Sequence, residues 1–240
     1  MTIESELEQA IKDLKEGKFV LVYDSEGREK ETDLVIASEF IRPMSIRKMR
    51  KEAGGLICAT VSYEAARALK LPLLVELYAE ISNNNSNYEV LKRLSPYDIP
   101  YDTKSSFSLT INHRKTFTGI SDYDRALTIS ELAKLIKNRS NEEKLLEEFG
   151  RNFRSPGHVP LLKAAKNLLK ERQGHTELSI ALMQFANLAP SATICEMIGE
   201  NGKSLTKEEA KKYATKNDLV FLEGKDIIKV WSSRGRKWLK

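Results

Sequence analysis

The sequence predicts an α+β fold, a mixed sheet with helices packed around it in a single domain, and three observations carry that prediction. Apolar segments of helical period and of strand period both occur, without the strict alternation that a doubly wound parallel sheet requires. No internal repeat and no Pro/Gly/Ser-rich linker divides the chain. Of its 240 residues, 41% are hydrophobic and 30% charged, enough to bury a sizeable core and without the charge excess of a disordered chain.

From the N-terminus, Ile3, Leu7, Ile11 and Leu14 recur at helical spacing, with Thr2 as the cap and Gly17 as the stop. FVLVYD, 19–24, reads as a buried strand that delivers the chain into SEGREKETD, and VIASEF then resumes the apolar pattern. GGLICATVS, 54–62, is a short strand, SNNNSN, 82–87, a polar surface loop, and SFSLTIN, 106–112, a half-buried strand. TISE at 128–131 fits a capping box with Thr128 as cap and Glu131 three residues on, and TKEE at 206–209 repeats it. LLKAAKNLLK, 161–170, and ELSIALMQFANLA, 177–189, read as helices, while ATICEMI, 192–198, and NDLVFLEG, 217–224, read as strands. The expected organisation is one domain over 1–230 followed by a basic tail over 231–240.

Composition narrows the function classes. No apolar run approaches the ~20 residues of a bilayer span, and the N-terminus carries acids where a signal peptide carries basic and apolar blocks, so a cytoplasmic protein with no membrane partner is expected. The two cysteines, Cys58 and Cys195, have no metal-ligand spacing and read as reduced thiols. A net charge of +5 is too small to argue for nucleic acid and equally suits a small anionic substrate.

Several segments concentrate chemistry. In REKETD, Glu29, Glu31 and Asp33 stand two apart, so an extended chain would gather them on one face with Arg28 and Lys30 turned away. Gathered carboxylates need a cation, a shared proton or open solvent; a solvated loop is the simpler alternative. At RQGHTE, Gly174, His175 and Thr176 open an apolar helix with Arg172 just before it, which suits a phosphate as well as an ordinary cap. SPGHVP holds His158 in a turn, and Thr118, Gly119 and Ser121 precede a helix as either a phosphate-contacting loop or a plain connector. Glu196 interrupts an apolar strand, either on an exposed face or buried with a partner, and Cys58 is most simply a core residue.

In family order, REKETD, GGLICATVS, TGISDYDRALTI, SPGHVPLL, RQGHTE and ICEM resemble the 3,4-dihydroxy-2-butanone 4-phosphate synthases, lyases of riboflavin biosynthesis, along nearly the whole chain. The resemblance implies an α+β homodimer that converts ribulose 5-phosphate to 3,4-dihydroxy-2-butanone 4-phosphate and formate with Mg2+ (or Mn2+). It implies Glu29 and His175 as metal ligands, with Arg172, Gly174, Thr176 and Thr118 around the phosphate. Acid/base groups would come from Asp24, Glu31, Asp33, Cys58, His158 and Glu196, with Arg28 and Asp33 touching sugar hydroxyls, and His158 serving the partner's site. This chain departs from the family twice: Thr32 stands where the bacterial RENEGD has glycine, and RPGH is present as Arg154, Ser155, Pro156, Gly157, His158. The rival readings are another metal-dependent sugar-phosphate isomerase or aldolase, separated by formate release, and a nucleic-acid-binding module, separated by salt-dependent affinity without turnover.

Overall fold

The computed structural model describes residues 3–84, 86–94, 98–138 and 141–234. Its elements are α1 (Ile3–Lys15), β1 (Val20–Tyr23), β2 (Thr32–Ala37), α2 (Pro43–Lys48), β3 (Cys58–Val61), α3 (Tyr63–Ala68), α4 (Leu74–Asn84) and α5 (Glu89–Arg93). They continue with β4 (Phe107–His113), α6 (Asp122–Lys137), α7 (Glu142–Asn152), β5 (Phe153–Lys163), α8 (His175–Ala186), β6 (Ala192–Glu196), α9 (Lys207–Lys216), β7 (Val220–Glu223) and α10 (Gly224–Arg234).

The strands form one seven-stranded sheet in the order β4-β5-β3-β6-β2-β1-β7, with β1–β7 and β3–β5 parallel and the other pairs antiparallel. This is the mixed α+β sheet that the sequence predicts. Because side chains alternate across a strand, strands such as β1, β2, β3, β5 and β6 feed two cores. Leu21, Leu34, Ile36, Ala59 and Leu161 face Ile46 of α2 and Ile129, Leu132 and Ile136 of α6. Val20, Val22, Val35, Ala37 and Ile194 face Leu7 and Leu14 of α1 and Leu178, Leu182 and Phe185 of α8. Burial on both faces explains why β1 and β2 read as continuous apolar runs rather than alternating ones.

Several expectations are corrected. SNNNSN lies mostly in the last turn of α4 and a 3-10 turn over Ser86–Tyr88, so among its described residues it is not a loop. TISE does not start a helix: Ser121 caps α6 by accepting from the Asp124 N–H, and Thr128, a turn and a half inside, donates instead to the Asp124 carbonyl. LLKAAKNLLK is not a helix, because Leu161, Leu162 and Lys163 finish β5 and only Leu168–Lys170 makes a 3-10 turn. At the start of β4 burial runs opposite to polarity, Phe107 being exposed while Ser108 is buried and donates to the Pro72 carbonyl; Ile111 further on is buried in the first core. The TKEE capping box is present at the start of α9, whereas the cap proposed at Thr2 lies outside the described residues.

Helix α10 runs across the expected start of the tail at 231, held by Ile227, Val230 and the half-buried Trp231 against the second core; residues 235–240 lie outside the described residues. No helix among the described residues is long and apolar enough to cross a membrane.

Glu223 ties β7 to the helices around it through Lys207 at 2.8 Å, Lys211 at 3.2 Å and Lys225 at 2.8 Å. Burial alone would raise its pKa, but the three ammonium groups outweigh it and bring it down to about 2. A folded pKa below the unfolded value of about 4.3 stabilises the fold above that value, and this contribution is lost as pH falls towards about 2. Glu223→Gln should therefore melt below the parent at pH 7, with the gap narrowing as pH is lowered from about 5 towards 2. A gap independent of pH would mean that the side chain acts by packing rather than charge.

Candidate active site

One end of the sheet collects the chemistry. Asp33, at the start of β2, lies opposite Glu196, at the end of β6, and Cys58, at the start of β3, lies opposite Ile194. The period of two puts Asp33, Glu196 and Cys58 on the face that α8 covers, so the N-terminus of α8 with His175 and Thr176 comes down beside them. The resulting cleft, about 180 Å³, is lined by Glu29, Glu31, Asp33, Cys58, Tyr101, Asp102, Arg172, His175, Thr176 and Glu196 among others.

The acids of REKETD meet there by a different route from the one predicted. Residues 25–31 turn rather than extend, and Lys30 has a left-handed φ of 59°. Buried Asp24 organises the turn, its two oxygens accepting from the Glu29 N–H at 2.9 Å and the Glu31 N–H at 3.1 Å. In a turn the side chains need not alternate, so Arg28 does not face away: it donates to Asp102 at 2.9 Å and lies 4.0 Å from Glu29. Thr32, where bacterial relatives of the motif carry glycine, begins β2 in ordinary strand conformation, so no glycine is required.

Glu29 Oε2 lies 3.1 Å from His175 Nδ1, and the Glu31 carbonyl and Asp33 Oδ1 lie 3.3 and 3.7 Å from His175 Nε2. Glu31 itself accepts from the Ser204 hydroxyl at 2.5 Å. One ligand atom each from Asp24, Glu29 and His175 lie within 4.8 Å of one another, an oxygen-rich set suited to a hard divalent cation. Buried Asp33 Oδ1 has no hydrogen-bond partner among the described residues, a second sign that these acids are arranged for a group with positive charge or protons to give. The residues thus fit the metal that the family resemblance implies.

The same crowding separates the ionisation states. Burial, reinforced by Glu196, Glu29 and Glu31 and opposed by His175, holds Asp33 well above the usual carboxylate range. Burial also raises Glu196, although the Leu56 N–H donates to its Oε2 at 2.8 Å. For Glu29, burial is outweighed by the His175 hydrogen bond and by the charges of His175, Arg172 and Arg28, and its pKa is lowered. Burial disfavours a charged His175, but Asp33, Glu29 and Asp24 outweigh it and push the imidazole up to about 10. Burial and then Glu196 and Asp33 raise Cys58, which keeps the thiol protonated rather than nucleophilic.

Above this cluster, Arg172 donates to Asp102 at 2.6 Å and to the wholly buried Glu177 at 2.7 Å, beside the first turn of α8. A Cβ on Gly174 would come within 2.5 Å of Arg172 Nη1 and 3.0 Å of Arg28 Nη2, so glycine lets both guanidiniums approach the helix terminus. Two cationic forks and a helix N-terminus are the components of a phosphate site.

Thr118 and His158 are not in this cleft. The β4–β5 register passes from Ile111 opposite Val159 to Asn112 opposite Arg154, so residues 155–158 bulge out of β5. Gly157 is needed there, since a Cβ would fall 2.0 Å from the Ile111 carbonyl carbon. Asn112 ties the bulge to the neighbouring loop: it accepts from the His158 N–H at 2.8 Å, donates to the Thr118 carbonyl at 3.1 Å, and has His158 Nδ1 at 3.2 Å. Arg154 pins the same loop through the Phe117 carbonyl at 3.0 Å. Beside the pair, Phe117, Ile120 and Tyr123 are 93%, 53% and 76% exposed.

Asp102, Tyr101, Glu177 and Asn112 were not singled out by sequence reasoning. Nothing near PYDTK distinguishes it from an ordinary polar loop, and Glu177 reads as a first-turn helix acid.

With this geometry in hand, comparison with known proteins is direct. The sequence profile of the 3,4-dihydroxy-2-butanone 4-phosphate synthases matches residues 8–230. The chain is 50% identical over 223 residues to the 3,4-dihydroxy-2-butanone 4-phosphate synthase of Methanothermobacter thermautotrophicus, covering 92% of this chain and 94% of the relative. It is 43% identical over 224 residues to that of Archaeoglobus fulgidus, covering 93% and 92%. Among solved structures, a 3,4-dihydroxy-2-butanone 4-phosphate synthase in complex with two magnesium ions superposes with a TM-score of 0.71 at 25% identity, over 97% of this chain and 98% of the other. A cation-free form of such an enzyme gives a TM-score of 0.74 at 26% identity over 95% and 97%. A fold, a cleft and a profile that agree over nearly the whole chain lead to one conclusion: this chain belongs to the 3,4-dihydroxy-2-butanone 4-phosphate synthase family.

Proposed function

We propose that the chain is a riboflavin-pathway lyase that converts D-ribulose 5-phosphate to L-3,4-dihydroxy-2-butanone 4-phosphate and formate. One observation carries the reading at the level of residues: acids around His175 and Arg172 at the N-terminus of α8 share a single cleft, with Arg28 joined to Arg172 through Asp102. The phosphate is bound by Arg172, the first turn of α8 at Gly174 and Thr176, and Arg28, which fixes the other end of the sugar over the acids. Glu29 and His175, with Asp24 beside them, hold a divalent ion, Mg2+ or Mn2+, which when bound supplies positive charge to the substrate's carbonyl and hydroxyl oxygens.

The chain's own groups then handle the protons. The reaction needs removal of a proton beside a carbonyl, loss of water, a carbon shift and release of formate, and so needs several groups able to give and take protons. Asp33 and Glu196, in register across two strands, are both raised by burial and so hold a proton more readily than an exposed carboxylate does; Glu31 and Cys58 line the same wall. Asp33 also reaches the sugar hydroxyls.

The same reading makes the enzyme a homodimer with shared sites: His158 and Thr118 lie outside their own chain's cleft, on a bulge bordered by exposed Phe117, Ile120 and Tyr123, a surface that a second copy would cover. Two buried, unpaired cysteines agree with a reducing cytoplasm. One synthase domain, which α10 carries past residue 230 to Arg234, and a basic C-terminal sequence complete the assignment.

The test is formate release from ribulose 5-phosphate. Formate is expected with Mg2+ or Mn2+, should stop with EDTA, and should return when the ion is restored. Sugar turnover without formate would replace this reading by an isomerase or aldolase; equal formate with and without chelator would remove the metal from it.

A further inference from the structure

We propose that Asp102 is an internal ligand of the phosphate site: its carboxylate occupies the place of the substrate's phosphate between Arg28 and Arg172, and phosphate enters only by displacing it. The inference rests on the reading of Arg172 as a phosphate-binding residue.

A single oxygen, Asp102 Oδ2, accepts from Arg28 Nη2 at 2.9 Å and from Arg172 Nε at 2.6 Å, and the side chain is 9% exposed. A guanidinium grips a phosphate best through two parallel N–H groups on one edge. In Arg172, Nε is committed to Asp102 and Nη1 to Glu177, so each edge already carries a carboxylate. A phosphate dianion placed beside both would meet like charge at contact distance, which disfavours addition and favours exchange.

Only one of the two acids is free to exchange. Glu177 is wholly buried in the first turn of α8 and also accepts from the Ala165 N–H at 3.0 Å. Asp102 sits on a segment, 98–106, without helix or strand, and among the described residues its other oxygen is bound only to the adjacent Thr103 N–H at 2.8 Å. Ile99, Tyr101, Lys104 and Ser105 from this segment form one wall of the cleft, so release of Asp102 also frees that wall. Without substrate, the carboxylate keeps two neighbouring guanidiniums from repelling each other and holds them aligned; with substrate, it is the competitor that sets phosphate affinity.

The experiment is calorimetric titration of inorganic phosphate, with chelator present, into the parent protein, Asp102→Asn, Asp102→Ala and Arg172→Ala, each checked for a parent-like melting curve. Removing the competitor should tighten phosphate binding about three- to tenfold in a correctly folded Asp102 variant and lower the KM for ribulose 5-phosphate in the same direction. Arg172→Ala should weaken binding about tenfold or more. If Arg172→Ala loses phosphate while both folded Asp102 variants bind it no better than the parent, Asp102 only positions the arginines and the proposal is overturned. If Arg172→Ala binds phosphate like the parent, the phosphate site itself lies elsewhere and the proposal falls with it.

Discussion

In Glu29→Gln and in His175→Ala, formate release should fall at least about a hundredfold with the fold retained, as when a preorganised stabiliser of developing charge is removed. The two side chains are joined at 3.1 Å and, with Asp24, offer ligand atoms within 4.8 Å of one another. Glutamine keeps the shape of Glu29 but replaces an anionic oxygen by a neutral one, which hard divalent cations bind less tightly. Alanine at 175 removes the nitrogen donor and leaves Asp33 and Glu29 without their common partner. Activity alone would not distinguish loss of the ion from loss of a proton carrier. Mn2+ binding, followed by water-proton relaxation, should therefore weaken in both variants. Near-normal turnover in either, or parent-like Mn2+ binding in an inactive one, would place the ion elsewhere.

A mixture of two inactive variants, Glu29→Gln and His158→Ala, should recover about a quarter of normal activity after being unfolded and refolded together. The reasoning starts from place: Glu29 lines the cleft, whereas His158 is exposed on the β5 bulge and does not line it. In a two-fold dimer with shared sites, a mixed dimer has one site with both lesions and one site with neither. Random exchange makes about half of the dimers mixed, each with half of its sites intact. Mass spectrometry establishes that exchange has occurred. A mixture that has exchanged and stays inactive, from variants inactive alone, would show that His158 acts within its own chain.

Much of this was legible in the sequence because it is local. The α+β class, α1, the strand at 20–23, the TKEE cap and α8 follow from apolar period and capping residues, which act within a few positions along the chain. It was the resemblance to a known family, not a local signal, that implied Glu29, Glu31, Asp33, Cys58, Arg172, His175, Thr176 and Glu196 as one chemical group, and all of them line one cleft.

What the tertiary structure alone decided is pairing across long separations. Ser121 is an earlier local cap for α6 than TISE, but that Thr128 lies inside the helix with its Oγ1 accepting from the His113 N–H of β4 was decided by the packing of α6 on the sheet. LLKAAKNLLK has a helix-forming composition, but Leu161 and Leu162 are claimed by β3 and β4 as sheet partners, and strand pairing overrides local propensity. Arg28 faces the site because Asp24 folds residues 25–31 into a turn, and a turn does not obey the strand's alternation. Asp102 carries no signal in PYDTK at all; it becomes a partner of Arg28 and Arg172 only when the chain brings together positions 70 or more residues apart. Local residues determine which element forms and which groups are chemically able. Which of those groups meet is set by sheet register and helix packing, where burial makes an unpaired charge too costly to leave alone.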